Sequence, residues 1–289
     1  MVQLCYKNRG GKMDFQKKCD LLLESNKDLI SFKEMIMKKY TNRKLVVPVG
    51  KDKNNDIYLN LEKVHGLFIA GATGTGKSVF LDNIIGGLII KNNPDNLKFV
   101  FLDPKKIELG EYNGIPYILE KNKESISDSK EGYNALVKIL KIIEERIHIL
   151  LKEDKKDIKE YNTNHKNKWE HLFIIIDESN DILKIKDSKE VMEKILDYGK
   201  VVGIHMIIAT NGYMKNFYET KFLKHFKYRM SFDLASKEQA SYIEIDGADL
   251  LKESGNALVK CPNNTIYNVM TPYISNKDIE NIVHNVCNN

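Results

Sequence analysis

Residues 71–78 read Gly-Ala-Thr-Gly-Thr-Gly-Lys-Ser and match G-x-x-x-x-G-K-[ST], the phosphate-binding P-loop pattern. The apolar run at 67–70 predicts a buried strand before this loop, and residues 79–85 continue as a helix. Glycines let backbone N–H groups converge on phosphate oxygens, and the helix N-terminus adds partial positive charge there. The loop predicts a nucleotide site, and by itself it would suit a kinase, a GTPase or a motor.

The ligands expected at this loop are ATP and Mg²⁺. We expect Lys77 to reach the β- and γ-phosphates and Ser78 to hold the metal ion. The residues predicted to contact the nucleotide are Gly71, Ala72, Thr73, Gly74, Thr75, Gly76, Lys77, Ser78 and Val79.

Composition is that of a globular protein, with a modest net charge of +5 over 289 residues that does not by itself indicate a nucleic-acid partner. The 4 cysteines lack metal-ligand spacing and suggest free thiols in a reducing compartment. No secretory signal and no apolar run of membrane-spanning length is visible, so we expect a cytoplasmic protein without a membrane segment. Arginine is scarce, which leaves few candidates for an arginine finger.

The order of elements predicts an α/β fold. Apolar strands at 98–102, 173–176 and 204–209 alternate with helices at about 129–151 and 189–201. Such alternation predicts a mostly parallel sheet covered by helices on both faces, with ligands at the carboxyl ends of the strands. We place a domain boundary near residue 44. Residues 1–44 are expected to form a short helical N-terminal arm or small domain, and residues 45–289 the main domain.

Residues 174–178, Ile-Ile-Ile-Asp-Glu, have the form of a Walker B strand end. Asp177 is expected to coordinate Mg²⁺ with Ser78, and Glu178 to orient the water that attacks ATP. Asn211 follows the next strand, where its amide could sense the γ-phosphate or could be a simple turn residue. The P-loop and the Walker B strand end are two halves of one site, and together they predict a hydrolase.

The chain resembles the FtsK/SpoIIIE family of DNA-translocating ATPases from about residue 45 to its end. Beyond the loop at 67–79, the resemblance rests on Asp-Pro-Lys at 103–105 with Glu108-Leu109. The other matching segments are 49–52, 112–116, 145–146, 158–162, 203–205 and 209–210. The Asp-Pro-Lys…Glu-Leu element is the most specific of these, because most P-loop proteins lack it.

Membership of that family would imply a RecA-like P-loop NTPase fold and a homo-oligomeric ring, usually hexameric, around double-stranded DNA. ATP would then lie between subunits. Lys77, Ser78, Asp177 and Glu178 match the family's catalytic positions. Arg229 matches an arginine that is supplied in trans to a neighbour's γ-phosphate, although a surface salt bridge is the alternative.

The chain departs from the family pattern after its fourth core strand. Residues 209–213 read Ala-Thr-Asn-Gly-Tyr where members have Ala-Thr-Gln-Arg-Pro. Lys200 and Ala240 also stand where members often have arginine, so subunit communication or hydrolysis rate could differ. We expect a compact motor without the membrane anchor or winged-helix domain, similar to members on plasmids, phages and conjugative elements.

Two lysine-bearing segments are candidate DNA contacts. They are 181–188, with Lys184 and Lys186, and 212–221, with Lys215 and Lys221. Such lysines could pair with backbone phosphates without reading bases, or could be solvated surface charges.

The first functional hypothesis is an ATP-driven motor that translocates double-stranded DNA. The alternatives are a type VII-like polypeptide-secretion ATPase, because those motors share this fold, and a non-motor P-loop NTPase regulator.

Overall fold

The computed structural model describes residues 15–25, 29–38, 43–53, 55–106, 108–119, 124–178, 180–211 and 220–288. Within these ranges the strands are β1 Val46–Asp52, β2 Asn55–Asn60, β3 Gly66–Ala70, β4 Leu97–Leu102, β5 His171–Asp177, β6 Ile204–Thr210, β7 Tyr228–Ser231, β8 Asn256–Lys260 and β9 Ile266–Met270. They form one sheet in the order β2-β1-β9-β8-β7-β3-β6-β5-β4.

One half of the sheet is parallel and the other half is antiparallel. Strands β7, β3, β6, β5 and β4 pair in parallel, with β3 between β7 and β6. This half confirms the predicted α/β fold. The other half, from β7 through β8, β9 and β1 to β2, pairs antiparallel, which the expectation of a mostly parallel sheet did not include. The connections from β1 to β2 and from β8 to β9 are too short to carry a crossover helix, so these neighbours must run antiparallel.

The helices in the described ranges are α1 Phe15–Leu22, α2 Phe32–Ile36, α3 Lys77–Lys91, α4 Ser129–Lys152, α5 Ile158–Asn164, α6 Asn180–Leu183, α7 Ser188–Tyr198, α8 Thr220–Leu223, α9 Lys237–Tyr242 and α10 Asn276–Cys287. Helix α4 spans the predicted region, and its first turn is capped by the Asp128 carboxylate, which accepts the Lys130 and Glu131 N–H groups. None of these helices is both long enough and apolar enough to cross a bilayer.

The helices cover both faces of the sheet, as β3 illustrates. Its alternate side chains Leu67 and Ile69 join the core beneath α3. Phe68 and Ala70 join a second core on the opposite face, beneath α4 and α7. A strand buried on both faces needs continuous rather than alternating apolar residues, and β3 has them.

The described part of the N-terminal arm packs on the core. Cys19, Leu22, Phe32 and Ile36 are buried in the same apolar cluster as Val47 of β1. The hydrogen bond from the Phe32 N–H to the Tyr273 carbonyl, 3.2 Å long, joins α2 to the segment before α10. Helices α1 and α2 thus extend the core layer that contains α3.

Candidate nucleotide site

The P-loop connects β3 to α3 and depends on two glycines. Gly74 and Gly76 have φ values of 82° and 111°, in the left-handed region that favours glycine. Gly76 is also the N-cap of α3. A Cβ at Gly76 would lie 2.9 Å from the backbone nitrogen of Gly255, so a side chain there is excluded by space as well as by conformation.

Distant segments hold this loop in place. The Ala72 N–H donates to the Asp233 carbonyl at 2.8 Å, and the Gly255 N–H donates to the Thr75 carbonyl at 2.8 Å. Both partners lie more than 150 positions from the loop in sequence. No sequence pattern had indicated Asp233 or Gly255, because their role arises only from tertiary contact.

The loop opens into a pocket of about 180 Å³. Its lining residues are Ala72, Thr73, Gly74, Gly76, Lys77, Ser78, Val79, Glu108, Asn211 and Ser254. Two of the predicted contact residues do not line it. The Gly71 N–H bonds to the Thr210 carbonyl, and the Thr75 hydroxyl donates to the Ala72 carbonyl at 2.8 Å, so these two residues shape the loop.

Lys77, which lines the pocket, forms a buried pair with Asp177, which like Glu178 is not among the lining residues. The Lys77 Nζ lies 3.4 Å from the Asp177 Oδ1, and the two residues are 4% and 2% exposed. Burial raises the pKa of Asp177 to about 6, an effect that Lys77 opposes and the neighbouring Glu178 reinforces. The structure therefore joins the P-loop on β3 to the Walker B carboxylate on β5.

The residues at this site suit Mg²⁺. The Ser78 hydroxyl and Asp177 carboxylate are hard oxygen ligands of the type that Mg²⁺ prefers. In the described ranges no group of three or more His, Cys, Asp or Glu side chains is arranged to hold a metal ion. An ion here would complete its shell with phosphate oxygens and water, which is typical of Mg²⁺ at nucleotide sites.

Glu178 has a strained backbone and a fixed carboxylate. Its φ is 60°, which is uncommon for a residue other than glycine and costs on the order of 1 kcal/mol. Its N–H donates to the Ala209 carbonyl at 2.9 Å, and its Oε1 accepts the Asn211 N–H at 2.6 Å. These two hydrogen bonds to the end of β6 maintain the strained backbone of Glu178 and direct its carboxylate toward β6.

Asn211 contacts Glu178 and also lines the nucleotide pocket. Its backbone N–H donates to the Glu178 carboxylate, and the residue is part of the pocket lining. From the sequence we expected the Asn211 amide to sense the γ-phosphate, or Asn211 to be a simple turn residue; the bond from its N–H to Glu178 was not predicted.

Asp103 organises the loop after β4. It is fully buried, and its carboxylate accepts the N–H groups of Lys105, Glu108 and Leu109 at 3.0–3.2 Å. This bonding curls the segment so that Glu108 lines the nucleotide pocket. The Asp-Pro-Lys…Glu-Leu signature is thus a loop built around one carboxylate, with Glu108 as its contribution to the site.

A second buried contact ties this loop to α3. The hydroxyl of the fully buried Tyr112 donates to the Asp82 Oδ1 at 2.8 Å. Burial raises the pKa of Asp82 to about 7, with Glu111 and Glu108 adding to the rise and the bond from Tyr112 opposing it.

Arg229 lies inside the subunit on β7. It is 5% exposed, and its guanidinium donates to the carbonyls of Phe226, Ile243 and Leu223 at 2.8–3.0 Å. Its Nη1 also lies 3.0 Å from the Glu244 Oε2. To act in trans, the side chain would have to leave all four partners. Arg146 is engaged similarly, with 3.0 Å bonds to the carbonyls at 170 and 202.

The predicted DNA-contacting lysines lie in different settings. Lys184 is exposed and bonds to Asp181 at 2.6 Å, while Lys186 and Lys221 are exposed. Lys215 lies outside the described residues. Of the three described lysines, Lys184, Lys186 and Lys221, none lines the nucleotide pocket.

Comparison with known proteins adds a family and a fold. A sequence model of the FtsK/SpoIIIE family matches residues 32–218. The chain is 32% identical over 268 residues to the DNA translocase FtsK of Chlamydia pneumoniae, covering 86% of this chain and 33% of that protein. It is 31% identical over 252 residues to the DNA translocase FtsK of Leptospira interrogans, covering 83% and 26%. The chain thus spans about a third or less of these relatives.

Solved structures agree on the fold. The pCW3 conjugation coupling protein TcpA, in its monomer form with ATPγS, matches with a TM-score of 0.75 at 16% identity, covering 90% of this chain and 75% of that one. The cytoplasmic domain of the Thermomonospora curvata type VII secretion ATPase EccC matches with a TM-score of 0.74 at 17% identity, covering 89% and 34%.

Proposed function

The chain belongs to the FtsK/SpoIIIE family, and on that basis we propose that it is an ATP-driven motor that translocates double-stranded DNA. The observation that carries the proposal is the buried contact between Lys77 and Asp177, with Glu178 next in the chain and fixed at the same sheet edge. This is the arrangement that an ATP-hydrolysing site requires.

Each residue has a role that follows from its position. Lys77 and the loop amides bind the β- and γ-phosphates, and Ser78 and Asp177 hold Mg²⁺. The ion, when bound, neutralises charge on the phosphates. Glu178 orients the attacking water and accepts its proton, and the side chain of Asn211 contacts the γ-phosphate.

The Glu178–Asn211 contact supports coupling between substrate and hydrolysis. Because the Asn211 N–H holds the carboxylate at 2.6 Å, displacement of the end of β6 would release or reposition Glu178. A substrate that displaces the end of β6 would thereby change the rate of turnover.

We further propose a cytoplasmic homo-oligomeric ring, hexameric by analogy with the family, that encircles the duplex with ATP between subunits. The names of the FtsK relatives favour DNA as the substrate over a polypeptide. The likeness to EccC, at 17% identity, concerns the fold alone.

The test is ATP hydrolysis by purified protein with Mg²⁺, with and without long duplex DNA. We expect DNA to raise the rate, Lys77→Ala to abolish turnover, and Glu178→Gln to retain bound ATP. Lys141→Ala, at an exposed lysine on α4, is the matched control and should leave the rate unchanged.

Light scattering with and without ATP measures self-association in the same samples. Absence of both DNA binding and DNA stimulation across low salt concentrations would refute the translocase proposal. Turnover stimulated by a polypeptide instead would favour the secretion alternative, and a monomer under all conditions would favour the regulator.

A further inference from the structure

A large cavity lies at the amino ends of the parallel strands, whereas the nucleotide pocket lies at their carboxyl ends. The cavity measures about 1120 Å³ and is lined at the amino ends of the parallel strands by His65, His171 and His205. His171 begins β5 and Asp177 ends it, so at about 3.3 Å per residue the two edges are roughly 20 Å apart. No residue in the described ranges lines both the cavity and the nucleotide pocket.

The cavity wall is strongly basic. Its basic side chains are Arg43, Lys63, Lys156, Lys159, Lys168 and Lys200. They come from separate parts of the chain: the approach to β1, the turn before β3, the region around α5, and the turn after α7. The acidic residues of the lining are Glu62 and Asp157. Segments that are remote in sequence therefore bring their positive charges to one cavity.

Most of this charge is not neutralised within the subunit. Among the described residues, Arg43, Lys63, Lys159 and Lys168 have no ion-pair partner. The acidic Asp157 is engaged in capping α5, where it accepts the Glu160 N–H at 2.9 Å. A solvated surface usually interleaves the two signs, whereas here one sign dominates a recess.

The histidines form a hydrogen-bonded floor. The Val64 carbonyl can only accept, so His205 carries its proton on Nδ1, 3.1 Å from that oxygen. The His205 Nε2 then accepts from the His171 Nδ1 at 3.3 Å. Burial, with Arg146 and Lys44 adding, lowers the pKa of His171 to about 4. Burial likewise lowers the pKa of His205 to about 3, so His171 and His205 are neutral at physiological pH although basic side chains surround them.

We propose that this cavity is a second phosphate-binding site, which takes phosphate groups of an extended anion. Its volume is about six times that of the P-loop pocket, so it admits several linked phosphates rather than one. Lysines bind phosphate as point charges without reading bases. The phosphates come either from a nucleic-acid backbone or from a small polyphosphate. The site acts independently of ATP hydrolysis at the P-loop.

The experiment measures binding to the full chain with its P-loop saturated with ADP and Mg²⁺. The probes are a fluorescein-labelled DNA duplex, followed by anisotropy, and inorganic tripolyphosphate, followed by calorimetry. The cavity variant is Lys159→Gln with Lys168→Gln. The matched control is Lys138→Gln with Lys141→Gln, two exposed lysines of α4 outside the cavity, and thermal unfolding shows that both pairs fold.

We expect the cavity variant to bind at least one probe about tenfold or more weakly at roughly 0.1 M salt, with the control unchanged. In the DNA arm, the slope of log affinity against log salt should fall by about two in magnitude, one for each lost phosphate contact. Loss in the DNA arm identifies a nucleic-acid backbone as the source, and loss with tripolyphosphate alone identifies a small polyphosphate.

Equal affinities of the cavity variant and the control for both probes would overturn the proposal. ATP turnover is not the readout, so this result would leave the proposed ATPase function standing. Conversely, a chain that binds phosphate here but does not hydrolyse ATP would refute only the proposed motor function.

Discussion

Replacing Arg229 by alanine separates a structural from a catalytic role for this residue. The guanidinium donates to three backbone carbonyls and is 5% exposed, so its loss leaves buried acceptors without their charged donor. A buried acceptor left without its donor costs about 1–3 kcal/mol, so loss of the donor to three carbonyls costs at least about 3 kcal/mol. The ion pair adds little to this figure, because the Glu244 side chain is 44% exposed and keeps Lys260 at 2.8 Å.

Urea unfolding, followed by the fluorescence of the single tryptophan, Trp169, measures this cost. A loss of that size shifts the midpoint down by about 1 M or more, since the free energy falls by roughly 3 kcal/mol per molar urea in a domain of this size. Arg229→Lys keeps a charge but not the planar fork, and should lose an intermediate amount. Arg43→Ala removes an exposed arginine and should change the midpoint little.

A role in trans leads to the opposite result. Arg229→Ala would then keep the wild-type midpoint, lose turnover, and partly regain it when mixed with Lys77→Ala subunits in one ring. A free energy of unfolding within about 1 kcal/mol of wild type would refute the structural role, because removing the charged donor of three buried carbonyls costs more than this.

Two further predictions concern the loop beside the nucleotide pocket. Asp103→Ala removes the acceptor of three loop N–H groups, so amide exchange at Lys105, Glu108 and Leu109 should accelerate at least tenfold. ATP should also bind more weakly as Glu108 moves. Unchanged exchange would show that the carboxylate does not hold the loop. Asp82 has a folded-state pKa of about 7, above its ordinary 3.8, so it binds more protons in the folded state and its contribution to the free energy of unfolding falls as pH rises from about 4 to 7. Asp82→Asn keeps the acceptor for Tyr112 without the charge, and should unfold with a free energy about 2 kcal/mol higher than wild type at pH 8. Asp177, with a raised pKa, and His171, with a lowered pKa, titrate in both proteins, so the readout is the difference between wild type and variant. Parallel urea midpoints for the two proteins between pH 4 and 8 would contradict the assignment.

Local sequence patterns were enough to predict the parallel half of the fold and the two parts of the nucleotide site, the P-loop with Lys77 and the strand end with Asp177. The strand, glycine loop and helix around Lys77 follow one another in the chain, so their geometry depends on neighbouring residues alone. The apolar run before Asp177 is equally local. Because the carboxyl ends of parallel strands share one edge, the meeting of Lys77 and Asp177 at 3.4 Å could be anticipated across 100 positions.

What only the tertiary structure decided involves residues that no local pattern connects. The antiparallel half depends on which strands pair, and the contact of Gly255 with the P-loop depends on that pairing. The enclosure of Arg229 depends on carbonyls from α8, the turn before β7, and the end of α9. Sequence determined which chemical groups this protein has and which sheet edge presents them. Packing determined which of those groups are free to act, because burial and hydrogen-bond partners are supplied by the rest of the fold.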